Sequence, residues 1–244
     1  MTARIHIPGQ FDDAALLRFF RAIAARDADV VSGMLDSSPG VATGAIRIGA
    51  SRQDARTYFL DDIGHYVYAG DTGLHIAAAA YECALAQTLI AKGSRVRTRN
   101  RRGAEPLHYA ADGNPDSSYW DPAAQYETIE KMIARGADPN AGDDGGVAAL
   151  HRAVRTRCAA AVRALLANGA DPKLKNKSGS TPLHLAVQTT GRGESGSVAA
   201  KDQQRLIIVS LLQHGAAPSD TDGKGKTVES AAQSDWIREL LSNL

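Results

Sequence analysis

Apolar positions recur in short paired runs at helical spacing. In each pair an alanine-rich stretch is followed by a second run that ends in two adjacent apolar residues: Leu89-Ile90, Met132-Ile133, Leu165-Leu166 and Leu211-Leu212. A glycine stands three residues after each apolar pair, at Gly93, Gly136, Gly169 and Gly215. A glycine just past the last periodic residue reads as a helix stop. The pattern predicts successive helix pairs.

The first helix of each pair opens on a variant of one tetrapeptide: Thr72-Gly73-Leu74-His75, Glu105-Pro106-Leu107-His108, Ala148-Ala149-Leu150-His151 and Thr181-Pro182-Leu183-His184. His75 to His108 and His151 to His184 are each 33 residues apart, and His108 to His151 is 43. Five residues before each histidine stands a glycine (Gly70, Gly103, Gly146, Gly179), with Gly225 in the matching place before Thr227. Those glycines suit tight turns that need positive φ.

The repeat resembles the ankyrin family, marked by a T-P-L-H-x-A motif, a period of 33 and a later G-A-D-P, here Gly136-Ala137-Asp138-Pro139 and Gly169-Ala170-Asp171-Pro172. The resemblance implies an all-α, ankyrin-like helical solenoid with β-turn or hairpin fingers along one edge. One pair cannot bury its apolar face, so neighbours must stack. It divides the chain into N-terminal cap helices (1–38), an insertion (39–69), four repeats (70–226) and a C-terminal cap (227–244), as one continuous domain. In the first cap Phe20 takes the histidine register, and Asp12, Asp13, Arg18 and Arg21 are expected to face water. Phe20 to His75 spans 55 residues, 22 more than one period. Smaller insertions, of 10 residues near 112–125 and 13 near 190–203, fall between the helices of their repeats.

Composition narrows the function. The chain has 244 residues, 43% of them hydrophobic, and 28 basic against 27 acidic side chains for a net charge of +1. Such a chain forms a core, and it lacks the long-range field of a nucleic-acid or membrane-surface protein. Two cysteines, Cys83 and Cys158, are too few for a disulfide scaffold, and they lie in non-adjacent repeats, too far apart for one bridge. No signal-like stretch follows Met1, and the longest apolar run, Leu206 to Leu212, is far short of a membrane span. The expectation is a cytoplasmic monomer.

Enzyme and cofactor motifs are weak. The ankyrin resemblance assigns the repeat histidines a structural hydrogen bond to the adjoining turn, and successive ones are too far apart to share a metal, so no metal and no cofactor are expected. Gly191-Arg192-Gly193-Glu194-Ser195-Gly196 satisfies G-x-G-x-x-G but follows a helix, and the P-loop-like Gly225-Lys226-Thr227 has Asp220 where the loop needs glycine.

Two features stand out as recognition chemistry. The finger Arg95-Val96-Arg97-Thr98-Arg99-Asn100-Arg101-Arg102 carries five arginines. These either neutralise Asp138, Asp143, Asp144, Asp61 and Asp62 on neighbouring segments or grip an acidic ligand. All seven tyrosines lie between Tyr58 and Tyr126, with Phe59 and Trp120 among them. Aromatics and arginine are the residues of binding hot spots. The reading is a non-catalytic interaction module that binds an unidentified protein partner with an acidic segment through a concave finger and inner-helix surface. Its candidate contacts are Arg95, Arg97, Arg99, Arg101, Arg102, Tyr66, Tyr68, Tyr119 and Trp120. One alternative is an acid-base enzyme using Asp61, Asp62, His65, Tyr66 and Glu105, the last standing where the motif has threonine. The other is phosphate or nucleic-acid binding by the arginine finger.

Overall fold

The computed structural model describes residues 11–188 and 197–243, and the chain is mostly helical. Its helices come in pairs: α1 (Asp13–Ala24) with α2 (Ala28–Ser37), α3 (Gly73–Ala79) with α4 (Cys83–Ala91), α5 (Pro106–Ala111) with α6 (Pro122–Ala134). Next come α7 (Ala149–Arg155) with α8 (Ala159–Ala167), α9 (Pro182–Ala186) with α10 (Val198–Gln213), and short α11 (Val228–Ala231) with α12 (Asp235–Ser242). First helices pack on first helices, in the order α1, α3, α5, α7, α9 and α11, while α4, α6, α8 and α10 form a second row. The leucine before each repeat histidine (Leu74, Leu107, Leu150, Leu183) and the first member of each apolar pair (Leu89, Met132, Leu165, Leu211) are buried between the rows. The G-x-G-x-x-G stretch, 191–196, lies outside the described residues.

Each repeat histidine works at both ring nitrogens. Nδ1 accepts the backbone N–H of the residue three before it: Thr72 at 3.1 Å, Glu105 at 3.0 Å, Ala148 at 3.2 Å and Thr181 at 3.4 Å. An accepting Nδ1 leaves the proton on Nε2, which donates to a carbonyl of the following finger. The acceptors are Ala104 at 3.3 Å, Val147 at 3.0 Å, Ser180 at 3.2 Å and Lys226 at 3.1 Å. One imidazole therefore caps its own helix and ties it to the next repeat.

The fingers have a periodic device of their own, which the sequence reading did not single out. Eight residues before each histidine from the second repeat onward stands Asn100, Asp143 or Asn176, and Asp222 holds the same place before the last pair. Each folds its side-chain oxygen onto two backbone N–H groups further along the turn. Asn100 accepts from Arg102 at 2.9 Å and Ala104 at 3.1 Å, and Asp222 from Lys224 at 2.8 Å and Lys226 at 2.9 Å. The glycine three residues on takes positive φ, as at Gly103 (71°) and Gly225 (78°), so the turn closes without steric cost. Neighbouring fingers then join by backbone hydrogen bonds, Arg101 to Ala69 at 2.7 Å, Asp144 to Arg102 at 3.0 Å and Lys177 to Gly145 at 2.9 Å.

Phe20 keeps the histidine register: Arg26, six residues on, has φ 58°, as Tyr81 (58°) and Arg157 (61°) do six residues after His75 and His151. Two charged residues of that cap do not simply face water, which corrects the expectation. The Asp13 carboxylate accepts the N–H groups of Arg47 and Ile48, each at 2.9 Å, and Arg21 donates to the Thr57 carbonyl at 3.0 Å. Both hold residues 39–69 against the first helix pair. That segment is compact, with 3-10 turns at Pro39–Thr43, Arg56–Tyr58 and Asp61–Ile63 and a two-residue hairpin of β1 (Phe59–Leu60) and β2 (His65–Tyr66). Antiparallel bridges Ala45 to Thr72 and Gly49 to Tyr68 continue it onto the first finger, and Tyr58, Leu60, Ile63 and Val67 are buried. Such short pairings carry no long alternation, so the strands were invisible to periodicity.

Leu165 is fully buried on α8, which packs on α6, α7 and α10. Leu165→Ala is expected to lower unfolding free energy by ~2–5 kcal/mol, read from urea midpoints at constant m-value. Burial lowers the pKa of His75, His108 and His151 below the ordinary imidazole value, that of His108 to about 4. The unfolded chain therefore takes up protons first, near pH 6.5, while the folded chain resists them. Stability should be complete above pH 6.5 and fall as acid is added toward pH 4, by roughly 2 kcal/mol from His108 alone at pH 5. Thermal melts between pH 7.5 and 5 check the direction, and His108→Gln should flatten the slope.

Candidate functional site

The tyrosine-rich half of the chain closes around one cavity of about 320 Å³. One wall is the hairpin segment from Ile63 to Tyr68, another is the end of the first repeat at Ala79 and Tyr81, and a third is the loop from Asp112 to Tyr119. Two insertions thus meet over the inner helices. Gly64 makes their approach possible: its φ is 60°, and a Cβ there would lie 2.6 Å from the Tyr119 hydroxyl. The Tyr81 hydroxyl donates to the Asp112 carbonyl at 2.7 Å, and Gln125 donates to the carbonyls of Ala110 at 3.0 Å and Asp112 at 3.2 Å, which pins the loop's start.

Behind this cavity lies a buried polar cluster centred on Asp71, with no exposed surface. Its carboxylate accepts the Tyr68 N–H at 2.6 Å, Asn100 Nδ2 at 2.9 Å and the Tyr109 hydroxyl at 2.9 and 2.8 Å to its two oxygens. Three donors satisfy most of the lone pairs of an otherwise costly buried charge. The phenol of Tyr109 is pushed well above its ordinary pKa by burial and by the Asp71 charge, so it remains a donor. His65 stacks on the Tyr109 ring at 4.4 Å, and His75 meets its edge at 5.1 Å. His65 Nδ1 lies 2.9 Å from the Tyr66 carbonyl, to which it donates. On the adjoining helix Arg152 bridges Asp112 at 2.9 Å and Asp143 at 3.1 Å.

Of the candidate acid-base groups, His65 and Tyr66 line the cavity, whereas Asp61, Asp62 and Glu105 are not among its lining residues. Asp61 and Asp62 are exposed, Asp61 paired with Arg56 at 3.0 Å. Glu105 is 2% exposed beneath Arg97 (3.7 Å) and Arg99 (4.0 Å). Burial raises its carboxyl pKa despite the two guanidinium groups, and Oε2 finds no hydrogen-bond partner.

The arginine finger divides in two. Arg97 pairs with Asp138 at 3.2 Å and Arg99 with Asp144 at 3.7 Å, in addition to Glu105. The neutralising set therefore differs from the expected one: Asp143 is held by Arg152, Asp61 by Arg56, and Glu105 takes their place. Arg101 donates to the Ala50 carbonyl. Its guanidinium lies 5.4 Å from the Tyr68 ring centroid, and that of Arg102 lies 4.2 Å from it. Neither they nor Arg95 reaches a carboxylate among the described residues. Trp120 donates to Gln125 at 2.9 Å and packs partly buried on the core. Cys158 is buried, with its thiol pKa pushed up to about 11 by burial, and Cys83 is half-buried; both are free. No group of three or more metal-ligating side chains occurs among the described residues, and no described helix is long and apolar enough to cross a membrane.

Sequence reading missed Asp71, Tyr109, Asp112 and Arg152. One signal was available for Asp71: it stands four residues before its histidine, where the other repeats have Ala104, Val147 and Ser180. Tyr109 and Arg152 each directly follow a repeat histidine, where Ile76 and Leu185 stand elsewhere.

Comparison with known proteins agrees with the repeat register. Residues 132–186 match the family described as ankyrin repeats (many copies). Residues 132–186 of the chain carry ankyrin repeats. Over 99 residues it is 37% identical to the E3 ubiquitin-protein ligase KEG of Arabidopsis thaliana. That stretch is 38% of this chain and 5% of the ligase. Ankyrin repeats generally mediate protein–protein interaction.

Replacing Glu105 by threonine, the residue that Thr72 and Thr181 place at this position, removes a buried carboxylate whose Oε2 has no hydrogen-bond partner and keeps a capping oxygen, while giving up the long ion pairs to Arg97 and Arg99. Glu105→Thr is expected to raise stability at pH 7 by ~1 kcal/mol, measured as a higher urea midpoint.

Proposed function

We propose that the chain is an ankyrin-like helical solenoid, four repeats at 70–226 between caps at 1–38 and 227–244, that binds a protein partner through its fingers and first helices. The partner presents an acidic segment to Arg95, Arg101 and Arg102, with Tyr66, Tyr68, Tyr119 and Trp120 supplying apolar contact beside it. The observation that carries this reading is the split of the finger. Arg97 and Arg99 are matched by Glu105, Asp138 and Asp144, while Arg101 and Arg102 lie against an aromatic ring and reach no carboxylate among the described residues. Guanidinium groups arranged beside aromatic surface recognise carboxylates in two-pronged fashion and gain more from a partner than from each other. The near-zero net charge and the internal pairing of Arg97 and Arg99 weigh against a phosphate backbone as the ligand.

Two double variants test it. Arg101→Ser with Arg102→Ser should weaken partner capture by about tenfold or more, as lost charged hydrogen bonds do, with little change in melting temperature. Arg97→Ser with Arg99→Ser should cost far less binding. Equal capture by both variants and the unaltered chain would refute the reading. Oligonucleotide binding that persists at roughly 150 mM salt and falls log-linearly above it would replace it with the nucleic-acid alternative.

A further inference from the structure

The cavity between the two insertions has a composition unlike the rest of the chain. Five of the seven tyrosines line it (Tyr66, Tyr68, Tyr81, Tyr109 and Tyr119), together with His65. At its floor and side stand two carboxylates, Asp71 and Asp112. Within 4 Å of Asp71 the one basic side chain among the described residues is His75, 3.9 Å away, and burial holds that imidazole neutral by lowering its pKa. Asp112 lines the cavity directly and shares the single Arg152 with Asp143. Arg152 is shared by two aspartates on that side and Asp71 lies behind Tyr109, while the guanidinium groups of Arg101 and Arg102 stand over the Tyr68 ring, so the attraction for a cation comes from ring faces beside carboxylates rather than from a net negative charge. Aromatic rings add the negative faces of their quadrupoles.

We propose that this cavity binds an organic ammonium group, such as a methylated lysine side chain or a small quaternary amine. The rings already act this way in the structure, since Tyr68 holds the guanidinium of Arg102 at 4.2 Å. Tyr66, 6.5 Å from Tyr68 between ring centroids, and Tyr119 hold no cation among the described residues. A cation on aromatic faces with a carboxylate nearby is stabilised most when it is weakly hydrated, which favours alkylated ammonium over ammonium itself. The volume, about 320 Å³, accommodates a trimethylammonium head with part of its stem. The cavity shares Tyr66, Tyr68 and Tyr119 with the proposed partner surface, but Arg95, Arg101 and Arg102 are not among its lining residues, so the arginine variants test one reading and the ammonium titration tests the other.

The full chain is titrated with choline, with its neutral isostere 3,3-dimethylbutan-1-ol, and with Nα-acetyl-trimethyllysine amide, followed by calorimetry and tyrosine fluorescence. Saturable binding of an ammonium probe, with the neutral alcohol weaker by about tenfold or more, is the expected result. Tyr66→Phe should bind as the unaltered chain does, and Tyr66→Leu about five- to tenfold more weakly at an unchanged melting temperature, because only the ring face is needed. Preference for trimethyllysine supports a partner's side chain as the source, and preference for choline supports a free small molecule. Equal affinity for the neutral alcohol, no saturable binding of either ammonium probe up to roughly 10 mM, or wild-type affinity in both Tyr66→Leu and Tyr119→Leu would overturn the proposal.

Discussion

A neutral histidine hydrogen-bonded at both nitrogens is the constraint on which the repeat depends. Its Nδ1 completes the start of one helix, and its Nε2 reaches the finger of the next repeat, so local capping and inter-repeat register are set by the same ring. Short helices such as α5, of six residues, have little stability of their own. They persist because their ends are capped and their apolar faces are covered on both sides. Protonation would remove the Nδ1 acceptor and break the cap, which is why burial and neutrality go together here.

Where the pattern changes, the structure changes with it. In the first repeat the position that elsewhere folds the finger onto itself is Val67, and the acid has moved to Asp71. The Ile46 N–H donates to the Asp71 carbonyl at 2.9 Å, so residues 39–69 take up the backbone groups that a preceding finger would occupy. Phe20, standing in the histidine register of the first pair, has no polar group to reach forward. The insertion fills the gap with main-chain bridges, and Asp13 and Arg21 anchor its far side. The same replacement draws Tyr109 and Asn100 inward around a buried carboxylate and sets the floor of the tyrosine-lined cavity.

The arginine finger shows how one charge run divides between scaffold and surface. Glu105 lies buried beneath Arg97 and Arg99, and the acids of the neighbouring finger hold the same two guanidinium groups. Exposed pairs of this kind contribute little to stability individually. Their effect is to fix the orientation of two side chains, leaving Arg101 and Arg102 as the cationic face beside Tyr68. The earlier and later arginines of the finger therefore differ in role although their chemistry is the same.

The helix pairs, the turn glycines and the capping histidines were legible from sequence, because each is a local device repeated at a fixed spacing and its physics lies within a few residues. Gly103 and Gly136 announce positive φ, and Leu165 announces burial, whatever the rest of the chain does. The cluster of tyrosines was legible as composition only. That Tyr66 and Tyr119 line one cavity, that Asp143 answers Arg152 in place of the arginine finger, and that Asp71 is buried under Tyr109 depend on the placement of residues 38 to 53 positions apart or on competition among nearby charges. Those pairings are decided by how two insertions without periodicity fold over the stacked helices, and no local spacing encodes that geometry.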